Sequence, residues 1–150
     1  MKLSFLFLAF VSFPVLACPN LAGVYKVCRS STEQNTITNI TVEQKIVNKF
    51  YQYTFTIRET DGREVRIEKY TADGKTKIVS DTDADTGITI KTETLTSCQD
   101  NVLNIKMDAT LDSEAFANVT IKATKNGNQL TQVFSGVSMD EPVNDTIFCE

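Results

Sequence analysis

From Phe50 onward, apolar and polar residues alternate. Tyr51, Tyr53, Phe55 and Ile57 share one parity, and Gln52, Thr54, Thr56 and Arg58 share the other. A period of two sends successive side chains to opposite faces, which is the pattern of a half-buried β-strand. Downstream, Val65 and Ile67 alternate with Glu64, Arg66 and Glu68, and the pairs Asp61-Gly62 and Asp73-Gly74 separate the runs. Asp and Gly tolerate positive φ, so each pair permits a tight turn that matches strand twist. The stretch from Phe50 to Ile78 therefore reads as a three-stranded meander.

The same period recurs along the chain. Leu21 to Cys28 is a first strand, and Arg29 to Asn35 is a polar loop. Ile37 to Val47 places Ile40, Val42 and Ile46 on one face, with Asn48-Lys49 as the turn into the meander. Ile88 to Ser97 and Leu103 to Leu111 follow, separated by a turn at Gln99-Asp100-Asn101. Asp112-Ser113-Glu114 resembles a helix cap, yet Ala115, Ala117, Val119, Ile121 and Ala123 recur every second residue, so a strand is expected. Its small side chains suggest a crowded or concave inner face. Asn126-Gly127 marks another hairpin before Leu130 to Val137. Ser138 to Asn144, which holds Pro142, reads as a loop, and Thr146 to Cys149 as a short last strand. About eight to ten strands with hairpin turns and no helix predict an all-β fold. Because closure removes exposed edges, the expected architecture is an antiparallel up-and-down β-barrel, with a β-sandwich as the alternative.

Residues 1–17 fall outside this pattern. Lys2, the apolar run Leu3 to Val11 and Val15-Leu16-Ala17 have the layout of a signal peptide, and the run is too short to span a bilayer. One mature domain is expected over residues 18–150, exported to the periplasm or secreted. Val15-Leu16-Ala17-Cys18 also resembles a lipobox, and lipidation of Cys18 would make the protein a membrane-anchored lipoprotein. Contact with a membrane is expected only in that case. Against it, the chain has four cysteines, an even number that suits two disulfides in an oxidising compartment. Cys18, Cys28, Cys98 and Cys149 allow three connectivities, which spacing does not separate. The expected pairing is Cys18 with Cys28, pinning the N-terminus to the first strand, and Cys98 with Cys149, tying the last strand to the middle of the barrel.

Composition narrows the function more by exclusion than by signal. Without Lys2 the 15 basic residues become 14 against 19 acidic, a net charge of −5, so no basic footprint for nucleic acid exists. The chain has no His, which removes Ser-His and Cys-His nucleophiles and histidine metal sites. Glu64 and Glu68 share a strand face beside Arg66 and read as surface charge pairing, not as an acid-base pair. Asp81, Asp83 and Asp85 imitate the start of a calcium loop, but Gly87 and Glu93 each stand one place late for an EF-hand and strands flank the segment. Asn39-Ile-Thr, Asn118-Val-Thr and Asn144-Asp-Thr fit the N-glycosylation pattern.

The opening Leu21-Ala22-Gly23-Val24-Tyr25 resembles the first strand of the calycin group, which includes lipocalins, avidins and fatty-acid-binding proteins. Gly23-Val24-Tyr25 stands where those families have Gly-x-Trp. The longer run from Cys18 to Cys28 is similar to small exported bacterial proteins. The resemblance implies a barrel that holds an apolar small molecule. Two features depart from it: the last Arg is Arg66, so no late Arg packs over the aromatic, and the late Arg and Tyr of fatty-acid binders are missing. The expectation is a non-enzymatic lipocalin-like barrel without a cofactor, with Tyr51, Tyr53 and Phe55 lining the pocket or filling the core. The alternative is an envelope interaction protein that binds a macromolecule through its Thr-rich strands or loops.

Overall fold

A computed structural model describes residues 18–32, 37–59 and 65–150. The leader, the Asp61-Gly62 turn and Glu64 lie outside the described residues. Ten antiparallel strands form one sheet: β1 (Gly23–Ser30), β2 (Ile37–Val47), β3 (Phe50–Glu59), β4 (Val65–Thr71), β5 (Thr76–Thr82), β6 (Thr89–Gln99), β7 (Val102–Leu111), β8 (Glu114–Asn126), β9 (Gln129–Ser138) and β10 (Glu141–Cys149). Their order is β4-β3-β2-β1-β10-β9-β8-β7-β6-β5. The sheet is all-β and up-and-down, and it curls into a half-barrel. First and last strands pair, so the seam that would complete the barrel falls mid-chain, between β4 and β5.

Two-residue turns set the register of four hairpins. Asn48-Lys49, Asp100-Asn101, Asp112-Ser113 and Met139-Asp140 all have both φ angles positive, between 47° and 74°. Two positive φ values match the right-handed twist of the flanking strands. At the β8–β9 turn positive φ is confined to Gly127, at 59°.

The fourth of these turns corrects the reading of Ser138 to Asn144 as a loop. β9 runs to Ser138, the turn is Met139-Asp140, and β10 starts at Glu141 with Pro142 opposite Val137. Proline is tolerated there because β1 pairs with β10 only over Ile147–Cys149, which leaves Pro142 on a local edge.

The meander from Phe50 to Ile78 also differs from expectation. β3 and β4 pair, but β4 and β5 stand at opposite ends of the sheet. The linker turns on itself: Asp73 N–H donates to Thr71 O, and Lys75 N–H to Asp73 Oδ1. Gly74 N–H then donates to Thr96 O, so the chain follows β6 instead of folding back on β4.

The faces of β4 are the reverse of what its apolar pattern suggests. Ile57, Phe55 and Tyr53 stand opposite Arg66, Glu68 and Tyr70, so the polar set shares the concave face with the core. Val65 and Ile67 lie on the convex side, 46% and 60% exposed. Register is fixed by β3, whose Tyr53 and Phe55 must be buried, and β4 takes the parity this leaves. The inward polar groups satisfy one another: Arg66 Nε lies 2.8 Å from Glu68 Oε1, and Tyr70 Oη donates to Glu68 Oε2 at 2.9 Å. Inward-pointing charge blunts an edge strand against further pairing.

The core fills one end of the half-barrel. Tyr25, Ile40, Val42, Tyr53 and Phe55 come from one half of the sheet, and Leu103, Ile105, Ile121, Ala123 and Leu130 from the other.

Candidate functional site

Where backbone pairing leaves the seam open, the residues just before β1 cross it. Pro19 and Leu21 are fully buried. Leu21 N–H donates to Gln44 Oε1 at 3.1 Å, Tyr25 Oη to Leu21 O at 2.8 Å, and Tyr53 Oη to Pro19 O at 2.8 Å. This short segment is a plug across the filled end.

The disulfides are Cys18–Cys98 and Cys28–Cys149, which corrects the expected pairing. Cys28 and Cys149 are direct partners across β1 and β10 and point inward. The pair Cys18–Cys28 fails because Gly23–Ser30 is extended, and the run from Gly23 to Cys28 alone spans about 16 Å. Cys98 and Cys149 lie on β6 and β10, four strand spacings apart along the sheet, or about 19 Å. Cys18–Cys98 instead ties the plug to β6 and closes the filled end. With Sγ of Cys18 joined to Cys98, no sulfur remains there for a lipid thioether. Two internal disulfides fit an oxidising, extracellular environment.

Gly23 and Tyr25 work together. A Cβ on Gly23 would lie 3.0 Å from Cζ of Tyr25, so the ring folds across the glycine. Lys125 Nζ sits 5.8 Å from the ring centroid and donates to Ala22 O at 2.7 Å. A basic side chain thus covers the first-strand aromatic, supplied by Lys125 on β8 instead of a late Arg. Burial pushes the Tyr25 phenol up. Beside it, a crevice of about 350 Å³ is lined by Gly23, Val24, Tyr25, Lys26, Lys125, Asn128 and Glu150.

Tyr51, Tyr53 and Phe55 share the inner parity but not one environment. Tyr53 and Phe55 are fully buried, while Tyr51 is 37% exposed. Phe55 meets Tyr70 edge to face with centroids 5.9 Å apart. Burial, then the nearby Tyr51, pushes the Tyr53 phenol far above its usual range. Tyr70 is also raised, first by burial and then by the Glu68 carboxylate, against a lowering from Arg66.

Toward the other end the core runs out into an open trough. β10 and β9 continue past the last β1 partner, Ile147, and β8 and β7 continue with them. Met107, Val119, Phe134 and Ile147 pack against the core yet remain partly exposed on the concave side, and Ile57 and Tyr70 pack against the same core from the shorter half. The alanines of β8 were the sequence signal for this concavity. Their neighbours Met107 and Phe134 carried no signal beyond strand parity.

Asp145 sits at the trough wall, where it organises the chain leaving β1. It accepts from Ser30 Oγ, Ser31 N, Ser31 Oγ, Thr32 N and Thr146 N, at 2.7 to 3.3 Å. Burial acts to raise its pKa, but these hydrogen bonds outweigh it and hold the carboxyl below its ordinary value. The acidic hairpin is likewise closed on itself. Asp83 Oδ1 accepts from Asp85 N, Thr86 N and Thr86 Oγ1, and those bonds lower its pKa. Asp81 lies on β5 opposite Ile90. Among the described residues no group of three or more acidic, Cys or His side chains is placed to hold a metal ion.

No family model, curated protein or solved structure matches the chain. What fold and site define is a disulfide-stapled, all-β half-barrel with one filled end and one open apolar trough. The calycin resemblance extends as far as a curled antiparallel sheet.

Proposed function

We propose that this is an exported, non-catalytic binding module, secreted or periplasmic, that holds an apolar small molecule in its trough. The observation that carries the reading is the continuity of the core with Met107, Val119, Phe134 and Ile147, apolar side chains that pack on one side and remain partly exposed on the other. Such a concave apolar surface gains free energy on covering, at about 25 cal/mol per Å² of apolar area buried. The polar set Arg66, Glu68 and Tyr70 on the opposite rim supplies orientation. Tyr53 and Phe55 form the floor beneath the ligand; Tyr51 stands beyond Tyr53, beside the Asn48-Lys49 turn at the plugged end.

Titration with a fluorescent sixteen-carbon fatty acid tests the reading. Saturable binding that is lost in Phe134→Asp and retained in Val24→Asp, on the convex side, supports it. Absence of saturable binding in the folded wild-type protein would falsify it. A second reading, an interaction module for a macromolecule, is favoured by the unpaired edges of β4 and β5 and by exposed Val65, Ile67 and Ile78.

A further inference from the structure

We infer that β5 is a self-association edge, and that two copies of this chain pair β5 against β5, antiparallel, about a two-fold axis through Val79. β5 ends the sheet, all seven of its residues are exposed, and its register with β6 runs without a bulge. It contains no proline. Nothing in its own sequence or geometry blunts it except Lys77, and that lysine is matched by an acid four residues on.

The complementarity is internal to the strand. Lys77, Val79 and Asp81 stand opposite Thr94, Thr92 and Ile90, so they share the concave face. For the curl to continue across the junction, residues of like parity must meet, which permits axes through Ile78, Val79 or Ser80. An axis through Ile78 sets Lys77 against Val79 of the second copy. An axis through Ser80 sets Val79 against Asp81. Only the axis through Val79 sets Lys77 against Asp81 twice, Val79 against itself and Thr76 against Thr82 twice. The next positions outward, Lys75 and Asp83, are again of opposite charge. Cross-strand pairs of opposite charge stabilise a ladder and like charges oppose it, and an isologous contact counts each pair twice.

The other free edge offers it less well. On β4, Arg66 and Glu68 already neutralise each other within the strand. An axis through Glu68 sets that carboxylate against its copy; one through Ile67 sets Arg66 against Glu68 twice, but with both side chains already engaged in their own strand, and sets Val65 against Lys69. The inference concerns the edge and does not depend on what fills the trough.

Sedimentation equilibrium of the oxidised protein tests it. The wild type is expected to show a reversible monomer–dimer equilibrium. Lys77→Asp and Asp81→Lys each place like charges opposite one another twice and are expected to raise the dimer Kd by at least about tenfold. The double exchange Lys77→Asp with Asp81→Lys restores opposite charges and returns Kd to within about threefold of wild type. Circular dichroism and thiol titration verify that each variant is folded and oxidised. A wild type that stays monomeric to millimolar concentration overturns the inference. So does a double exchange that fails to recover association, or a dimer indifferent to both reversals but lost in Ile67→Lys, which would place the contact on β4.

Discussion

Tyr53 Oη lies 4.0 Å from Cys98 Sγ, joining β3 to β6 across the seam that backbone hydrogen bonds leave open. Each residue is one strand in from a free edge, and the same phenol donates to Pro19 O in the plug. The filled end of the half-barrel is held by side chains and sulfur, not by a ladder.

Replacing Tyr53 by Phe keeps the ring and removes the donor to a buried carbonyl. Leaving that carbonyl unpaired costs about 1 to 3 kcal/mol. Urea unfolding should show a lower midpoint with an unchanged slope. A midpoint equal to wild type would mean that the plug is held without this bond.

The two disulfides close loops with sequence separations of 80 and 121 residues. In the chain-entropy description each restricts the unfolded state by about 4 to 5 kcal/mol. Peptide mapping without reduction should recover Cys18 linked to Cys98 and Cys28 linked to Cys149. Recovery of a Cys18–Cys28 peptide would contradict the plug. Converting Cys18 and Cys98 to Ser should also weaken amide protection at both β3 and β6, since no strand pairing spans the seam.

Gly136 has φ of 145°, and a Cβ there would run into the Asn118 carbonyl oxygen. Both the backbone conformation and the contact exclude a side chain, because the obstacle is main chain of the paired strand. Gly136→Ala should destabilise the protein by about 3 kcal/mol or more, read from thermal unfolding. Gly74→Ala meets no atom within 4 Å and carries only the cost of its φ of 68°, so it should lose less.

Three phenols, Tyr25, Tyr53 and Tyr70, are raised above their ordinary value of 10.0 by burial. Below pH 10 all are neutral in both states and their full contribution is present. Above it the unfolded chain loses phenolic protons that the folded chain keeps, so stability falls as pH rises. Unfolding free energy measured from pH 9 to 12 should decline, and Tyr70→Phe should flatten the slope.

At the acid end Asp145 has the opposite sign. Its folded pKa is below the ordinary 3.8, so its contribution is complete above that value and is lost as pH falls through the folded pKa. Asp145→Asn should lower stability at neutral pH while making the curve shallower below pH 4. An unchanged acid limb would show that its hydrogen bonds to the Ser31 and Ser30 hydroxyls do not depend on its charge.

Strand existence and most turns were legible in the residues because both are local. Alternation along Leu103 to Leu111 survives in β7, and the Asn126-Gly127 signal falls at the β8–β9 hairpin, whose two turn residues are Gly127 and Asn128. Met139-Asp140 was not legible, since neither residue is a strong turn signal by itself and the turn is set by the register of β9 on β10. The trough was half legible, through the alanines of β8. Lys125 over Tyr25 was not, because a hundred residues separate two side chains that only the curl of the sheet brings together.

Alternation, turn residues and an even count of cysteines determined by themselves an all-β chain of antiparallel hairpins stapled by sulfur. Which cysteines pair, which face of β4 turns inward and where the sheet stays open were decided only in three dimensions. Each depends on which strands lie side by side after the sheet curls, and period-two patterning gives a strand two faces without saying which one meets the core.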